Sequence, residues 1–153
     1  MLKATVRHAG EWSFLGKSNS NHWVVMDGSP KIGAEDGGAR PKELLLLALG
    51  GCTAFDVKQV LDKRRVKPDA FEVALSADES EEHPMVLTRV RMEYRFRGEI
   101  PVADIERAVR LSFDKYCAVT AMLRQVFPIE WRALLNGQEV LAGSTEPVGQ
   151  DNR

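Results

Sequence analysis

Arg40–Arg65 reads RPKELLLLALGGCTAFDVKQVLDKRR, and the organisation of the 153-residue chain follows from it. Pro41 suits a first helical position, where its missing N–H leaves no intrahelical bond unmade. Leu44 to Leu49 form an apolar run, and Val57, Val60 and Leu61 continue it at helical spacing. The pattern predicts one long helix from about Pro41 to Lys63. Its first half is apolar nearly all round and is expected to be buried on every side. Gly50 and Gly51 stand in its middle, at a cost of ~1 kcal/mol each against alanine. A helix that keeps both is expected to need a bare surface where another backbone approaches closely, and Cys52 stands beside that surface. The basic end, Lys63-Arg64-Arg65, suits the negative end of the helix dipole.

The remaining composition narrows the function classes. A chain of this length is expected to form one domain with a sizeable core. A net charge of −1 gives no electrostatic reason to expect nucleic acid or an anionic membrane as partner. The first residues, MLKATVRHAGEWSF, show no cationic segment followed by a long apolar one, so no secretory signal is expected. Asp56 and Lys58 interrupt the Leu-rich stretch short of the ~20 apolar residues of a membrane span. The expectation is a soluble, cytoplasmic protein. Two cysteines make no disulfide framework, and in a reducing compartment such a pair points to catalysis or redox chemistry.

Either side of the long helix the patterns are those of strands. Leu2, Ala4 and Val6, then Trp12 and Phe14, alternate about a turn at Ala9–Gly10 and predict a hairpin. His22–Met26 predicts a further strand, closed by Asp27-Gly28-Ser29-Pro30, and residues 31–39 read as a Gly-rich loop. In the second half, Phe71, Val73 and Leu75 alternate with polar residues, followed by an acidic turn at 77–84. Residues 86–96 alternate most clearly, with Val86, Thr88, Val90, Met92, Tyr94 and Phe96 assigned to one face. Pro101 opens a second helix, with Val102, Ile105, Val109 and Ser112 on its inner stripe and Asp104 in its first turn. Asp114–Val126, which carries Cys117, predicts another helical segment. Pro128–Leu135 predicts a strand, and Asn136–Gly137 turns it into a short last strand at Glu139–Leu141. Residues 142–153 read as a disordered tail beyond a domain of residues 1–141. Strands cluster rather than alternate with helices, so the predicted class is α+β with antiparallel sheets.

No close Cys/His spacing of a metal site is present, and His8, His22 and His83 fall on different elements. Gly33, Gly37 and Gly38 fit no dinucleotide-binding spacing, and no P-loop occurs. No cofactor is expected. A Cys–His hydrolase would need the fold to bring a histidine to Cys52. The two thiols carry a more direct chemistry. A peroxide-reducing site needs one thiolate to attack the peroxide and a second thiol to capture the sulfenic acid before it over-oxidises. Cys52 and Cys117 supply one candidate for each role.

PKELLLLALGGCTAFD, with FDKYCAVTAML some 65 residues on, resembles the OsmC/Ohr family of bacterial thiol peroxidases, and its OsmC-like branch more than its organic hydroperoxide resistance enzymes. The resemblance covers roughly residues 1–141. It implies an intertwined homodimer, with antiparallel sheets wrapped around two long central helices and the active sites at the subunit interface. It implies Cys52 as the peroxidatic cysteine, Cys117 as the resolving cysteine, and organic hydroperoxides as substrates. The reductant would be an external dithiol, lipoyl-type or thioredoxin-like.

The family's peroxidases also use an N-terminal arginine and a glutamate directly after the proline of this helix. Here Lys42 follows Pro41 and the acid is Glu43, turned by about 100° and about 13 Å along the helix from Cys52. From there Glu43 would reach only a thiol of the partner subunit. Lys17 and Arg40 are the candidates to replace the arginine, although lysine lacks its bidentate geometry. A second reading stays open: a dimeric binding module with weakly reactive thiols, its apolar pocket lined by Met85, Phe113, Tyr116 and Met122.

Overall fold

Helix α1 runs from Pro41 to Lys63, the bounds its sequence predicts. The Arg40 carbonyl accepts its first bond, from Leu44 N–H at 3.1 Å. At its far end Arg65 turns left-handed (φ 59°), and Val66 N–H reaches back to the Leu61 carbonyl at 3.0 Å, the bond that closes a Schellman-type end. The computed structural model describes residues 1–145 and 147, in two compact units divided within α1.

The first unit, Met1–Leu47, holds a three-stranded antiparallel sheet of β1 (Ala4–Gly10), β2 (Ser13–Ser18) and β3 (Trp23–Met26). The predicted hairpin and third strand are both present. Asp27 pins the loop that follows. Its carboxylate is 5% exposed and accepts from Gly28 N–H at 2.7 Å and Gly37 N–H at 2.8 Å. The sheet leaves apolar surface uncovered: Val6, Trp23, Val24 and Val25 are all exposed.

The second unit, from Ala48 on, is a four-stranded sheet ordered β4 (Ala70–Glu79), β5 (Leu87–Arg97), β6 (Ile129–Leu135) and β7 (Gln138–Thr145). The class is α+β as predicted, but this sheet is mixed, since β5 and β6 run parallel. Residues 98–128 carry the chain back by a helical crossover, the length of connection a parallel pair requires. They hold α2 (Val102–Leu111), a π-helical turn at Ser112–Tyr116 and α3 (Ala118–Leu123). Asp104, in the first turn of α2, is buried and paired with Arg64.

Val90, Met92, Tyr94 and Phe96 of β5 are buried with Ile129, Trp131 and Ala133 of β6. The expected alternation fails at one end, where Leu87 is buried and Val86 and Thr88 are exposed. The register shifts there: Asp78 faces Arg89 while Glu79 faces Leu87, so one extra residue on β5 reverses its sides. The Asn136–Gly137 turn is present, both residues at positive φ. The last strand runs on to Thr145, beyond the expected end at Leu141. Gly143 permits this packing, because a Cβ there would lie 2.6 Å from the Trp131 ring. The rest of the expected tail, apart from Pro147, lies outside the described residues.

By length and composition alone α1 is apolar enough to cross a membrane despite Asp56 and Lys58. Within the second unit, however, its Leu49, Thr53, Val57, Val60 and Leu61 are buried as protein core. The helix is not buried all round in the single chain: Leu45, Leu47 and Phe55 are exposed, Phe55 at 81%. The glycines also divide. Leu75 Cδ1 lies 2.5 Å from where a Gly50 Cβ would stand, a side chain rather than the expected backbone, while Gly51 faces open space.

The outer face of the four-stranded sheet is a charge ladder. Arg91 pairs with Asp78 at 2.8 Å, Arg95 with Glu72 at 2.8 Å and Arg132 with Glu93 at 3.1 Å. Three carboxylates are thereby held below their ordinary range: Asp78 by its hydrogen bond from Arg91, Glu93 by its hydrogen bond from Arg132, and Asp27 by the Gly37 and Gly28 N–H groups. A folded-state pKa below the unfolded one gives stability that is present above about pH 4 and lost as pH falls through the lowered values. The melting temperature is therefore expected to fall on acidification below that point. Added salt should weaken the arginine-paired part of the effect. A melting temperature that held level down to pH 3 would contradict it.

Candidate active site

Cys52 lies in the middle of α1, half-buried, one turn before Asp56 on the same helical face. Cys117 comes from the crossover. The expected continuous helix through it is broken: the π turn closes with Cys117 N–H on the Ser112 carbonyl at 2.9 Å, and Cys117 itself is extended (φ −72°, ψ 101°). It then caps α3, its sulfur accepting from Thr120 N–H at 3.3 Å. The two thiols are unbonded, and Cys52 Sγ, Cys117 Sγ and an Asp56 carboxylate oxygen all lie within 4.8 Å of one another.

A buried chain of hydroxyls supports the carboxylate. Tyr94 Oη lies 2.6 Å from Thr53 Oγ1, Thr53 Oγ1 lies 2.8 Å from Ser112 Oγ, and Ser112 Oγ is 3.1 Å from Asp56 Oδ2. An ionised carboxylate only accepts, so Ser112 donates to Asp56, Thr53 to Ser112, and Tyr94 to Thr53. Burial pushes the Tyr94 phenol well above its ordinary range, and the bond to Thr53 works against that rise. Tyr94 is therefore a neutral donor. Phe113 and Trp131 pack around it, with ring centroids each 6.4 Å from its own. Burial also pushes the Cys117 thiol up. Thr120 opposes the rise and the neighbouring Cys52 adds to it. Cys117 is 2% exposed and at neutral pH is a protonated thiol.

The fold thus joins the two cysteines that the sequence singled out and adds Asp56, Ser112, Thr53 and Tyr94, which it did not. Asp56 was legible as the i+4 neighbour of Cys52, but its charge reads equally as an interruption of an apolar helix. Tyr94 reads as an ordinary core residue of β5. Among the described residues the cluster holds a carboxylate and no histidine, so nothing here assembles a Cys–His hydrolase.

The three supporting candidates lie in the first unit, each with local partners. Lys17 sits over the Trp23 ring, 5.0 Å from its centroid. Arg40 pairs with Asp36 at 2.7 Å and with Glu43 at 3.3 Å. Glu43 also accepts from Arg40 N–H at 2.9 Å, the reaching-back half of a capping box. Glutamine keeps that acceptor and loses the charge. Glu43→Gln is therefore expected to lose less stability than Glu43→Ala, which loses about 0.5–1 kcal/mol. Equal losses in the two variants, read by thermal melts, would show that the Glu43 charge rather than its acceptor oxygen holds the turn.

Comparison with known proteins fits this geometry. The family profile described as OsmC-like protein matches residues 33–132. Protein YhfA of Escherichia coli K12 is 36% identical over 129 residues, which is 84% of this chain and 93% of that protein. The crystal structure of a hypothetical protein from Aquifex aeolicus superposes with a TM-score of 0.76 at 25% identity, covering 89% of this chain and 98% of that one. An organic hydroperoxide resistance protein OsmC from Legionella pneumophila shares the fold at a TM-score of 0.62 and 11% identity, over 88% of this chain and 96% of that one. The chain, with its two cysteines meeting across α1 and the crossover, belongs to the OsmC-like family.

Proposed function

We propose that the protein is a thiol-dependent peroxidase that reduces organic hydroperoxides in the cytoplasm, acting as a homodimer and without nucleic acid, membrane or cofactor. The observation that carries this reading is the approach of Cys52 Sγ and Cys117 Sγ to within 4.8 Å from two different elements. A disulfide needs sulfurs about 2.05 Å apart, so the two must draw closer still to bond. Membership of a family that includes proteins named for organic hydroperoxide resistance supports the substrate class.

The proposed cycle balances. The Cys52 thiolate attacks one peroxide oxygen, the O–O bond breaks, and the departing alkoxide takes a proton to leave as an alcohol. Cys52 is then a sulfenic acid. The Cys117 sulfur attacks the Cys52 sulfur, and the sulfenic oxygen leaves as water with the Cys117 proton. An external dithiol reduces the disulfide and becomes a disulfide itself. The raised pKa of Cys117 suits the second role, because a thiol kept protonated reacts poorly with peroxide directly. Turnover assays of the two cysteine variants test the cycle. The same assays decide between this reading and the binding-module alternative, whose pocket would draw on Met85, Tyr116 and Met122, all exposed, and on Phe113, which is buried.

The exposed apolar surfaces of both units support the dimer. Leu47 and Phe55 on α1, and Trp23 and Val25 on β3, are exposed apolar side chains of the kind a partner subunit would cover. Light scattering is expected to give twice the 17.1 kDa chain mass, and Phe55→Glu to shift it toward the monomer. A wild-type mass of a single chain would reject the dimer.

A further inference from the structure

The peroxidase cycle uses both thiols of the candidate active site but gives no role to the Asp56 carboxylate beside them. Two thiols and a carboxylate converge within 4.8 Å, where peroxide chemistry requires only the thiols. We propose that the reduced pair Cys52 and Cys117, together with Asp56, forms a three-ligand site for a thiophilic divalent cation of the Zn²⁺ class.

The geometry suits such an ion. With Zn–S about 2.3 Å and Zn–O about 2.0–2.2 Å, tetrahedral ligand atoms stand roughly 3.5–3.8 Å apart, so the three need to draw in by at most about 1 Å. Cys52 and Asp56 are fixed at i and i+4 on a long helix and face the same side. Cys117 is held from the other element by the π turn and by its place at the start of α3. Two of the three ligands already have the outer partners that orient metal ligands. Ser112 donates to Asp56 Oδ2 at 3.1 Å, leaving the other carboxylate oxygen for the ion, and Thr120 N–H donates to Cys117 Sγ at 3.3 Å.

Two thiolates and a carboxylate select against Mg²⁺ and Ca²⁺, which prefer oxygen ligands throughout. On binding, the two thiol protons pass to solvent. Cys52 is only half-buried, which leaves a fourth position for water or an incoming thiol. Joining the cysteines in a disulfide would destroy the site, so metal and disulfide exclude each other.

The test uses the reduced full-length protein, first freed of metal by a chelator. It is titrated with Cd²⁺, followed by the ultraviolet thiolate-to-metal band, and with Zn²⁺ in competition with a chromophoric chelator. The expected result is one equivalent per chain, lost in Cys52→Ser and in Cys117→Ser. Binding should be at least tenfold weaker in Asp56→Asn and about tenfold weaker in Ser112→Ala. Prior oxidation with diamide should abolish binding. Circular dichroism checks that each variant is folded, and Ser112→Ala serves where Asp56→Asn does not fold.

No band at one equivalent, or an unchanged titration in Asp56→Asn and Ser112→Ala or in either cysteine variant, overturns the site. Peroxide turnover measured separately with excess chelator keeps the two ideas apart. Turnover without metal binding rejects the metal site alone, and metal binding without turnover supports it while rejecting the peroxidase reading.

Discussion

Cys52→Ser is expected to abolish turnover of tert-butyl and cumene hydroperoxide, by at least about a thousandfold with a dithiol reductant present. In a covalent mechanism the nucleophile is the route itself, and no other group replaces it. Cys117 is 2% exposed and kept protonated by its burial, so it cannot take over the attack. Cys117→Ser should behave differently. Its first turnover proceeds, because Cys52 is intact, but the sulfenic acid then has no second thiol in the chain to capture it. Mass spectrometry should find Cys52 one oxygen heavier at low peroxide and two or three oxygens heavier at high peroxide. Wild type under the same conditions should lose two hydrogens as the disulfide forms. Hydrogen peroxide is the comparison that separates a preference for organic substrates from general thiol oxidation. A wild type without turnover, its two thiols still titratable, would reject the peroxidase and favour the binding module.

The fold that holds these thiols was partly open to reading. Both ends of α1 follow from Pro41 and from the Lys63-Arg64-Arg65 turn, because helix ends are set by local chemistry. The Asn136–Gly137 hairpin is local in the same sense. What the sequence hid depends on partners far along the chain. The side reversal at Leu87 comes from one unpaired residue opposite Asp78 and Glu79, which no periodicity of β5 alone records. The parallel pairing of β5 with β6 depends on how the helices of residues 98–128 lie over the sheet.

The helix break at Cys117 is hidden for a related reason. No Gly or Pro marks the break between Val102 and Phe127, and the π turn that aims Ser112 and Cys117 inward is favoured by tertiary contacts of Ser112 with Thr53 and Asp56. The cysteines were therefore legible as chemistry, whereas the carboxylate and hydroxyls beside them emerged only when α1 met the crossover. Exposed Leu47 and Phe55 record the same difficulty at a higher level. Their apolar character was visible, but the single chain does not bury them.

Thr53→Val is expected to cost about 2–3 kcal/mol of folding stability, although valine matches threonine in shape. Thr53, Tyr94 and Ser112 are each 0% exposed, so water cannot replace a lost partner. Removing the Thr53 hydroxyl strands the Tyr94 O–H in the core, at about 1–3 kcal/mol, and deletes a second short bond to Ser112. For a chain of this size the melting temperature should fall by roughly 4–12 °C. Tyr94→Phe removes the stranded group. In the Thr53→Val background it should therefore restore about 1 kcal/mol, where in wild type it destabilises, and a double-mutant cycle reads that coupling directly. Strictly additive effects would mean that the Thr53–Tyr94 bond contributes nothing. The same variant separates scaffold from chemistry. Ser112 keeps Asp56 as its acceptor when Thr53 is gone, so peroxide turnover at 25 °C should stay within about threefold of wild type while stability falls. A large loss of turnover at a temperature where the variant is fully folded would instead make the hydroxyl chain part of the thiol chemistry, with Tyr94 at its far end acting through Thr53, Ser112 and Asp56.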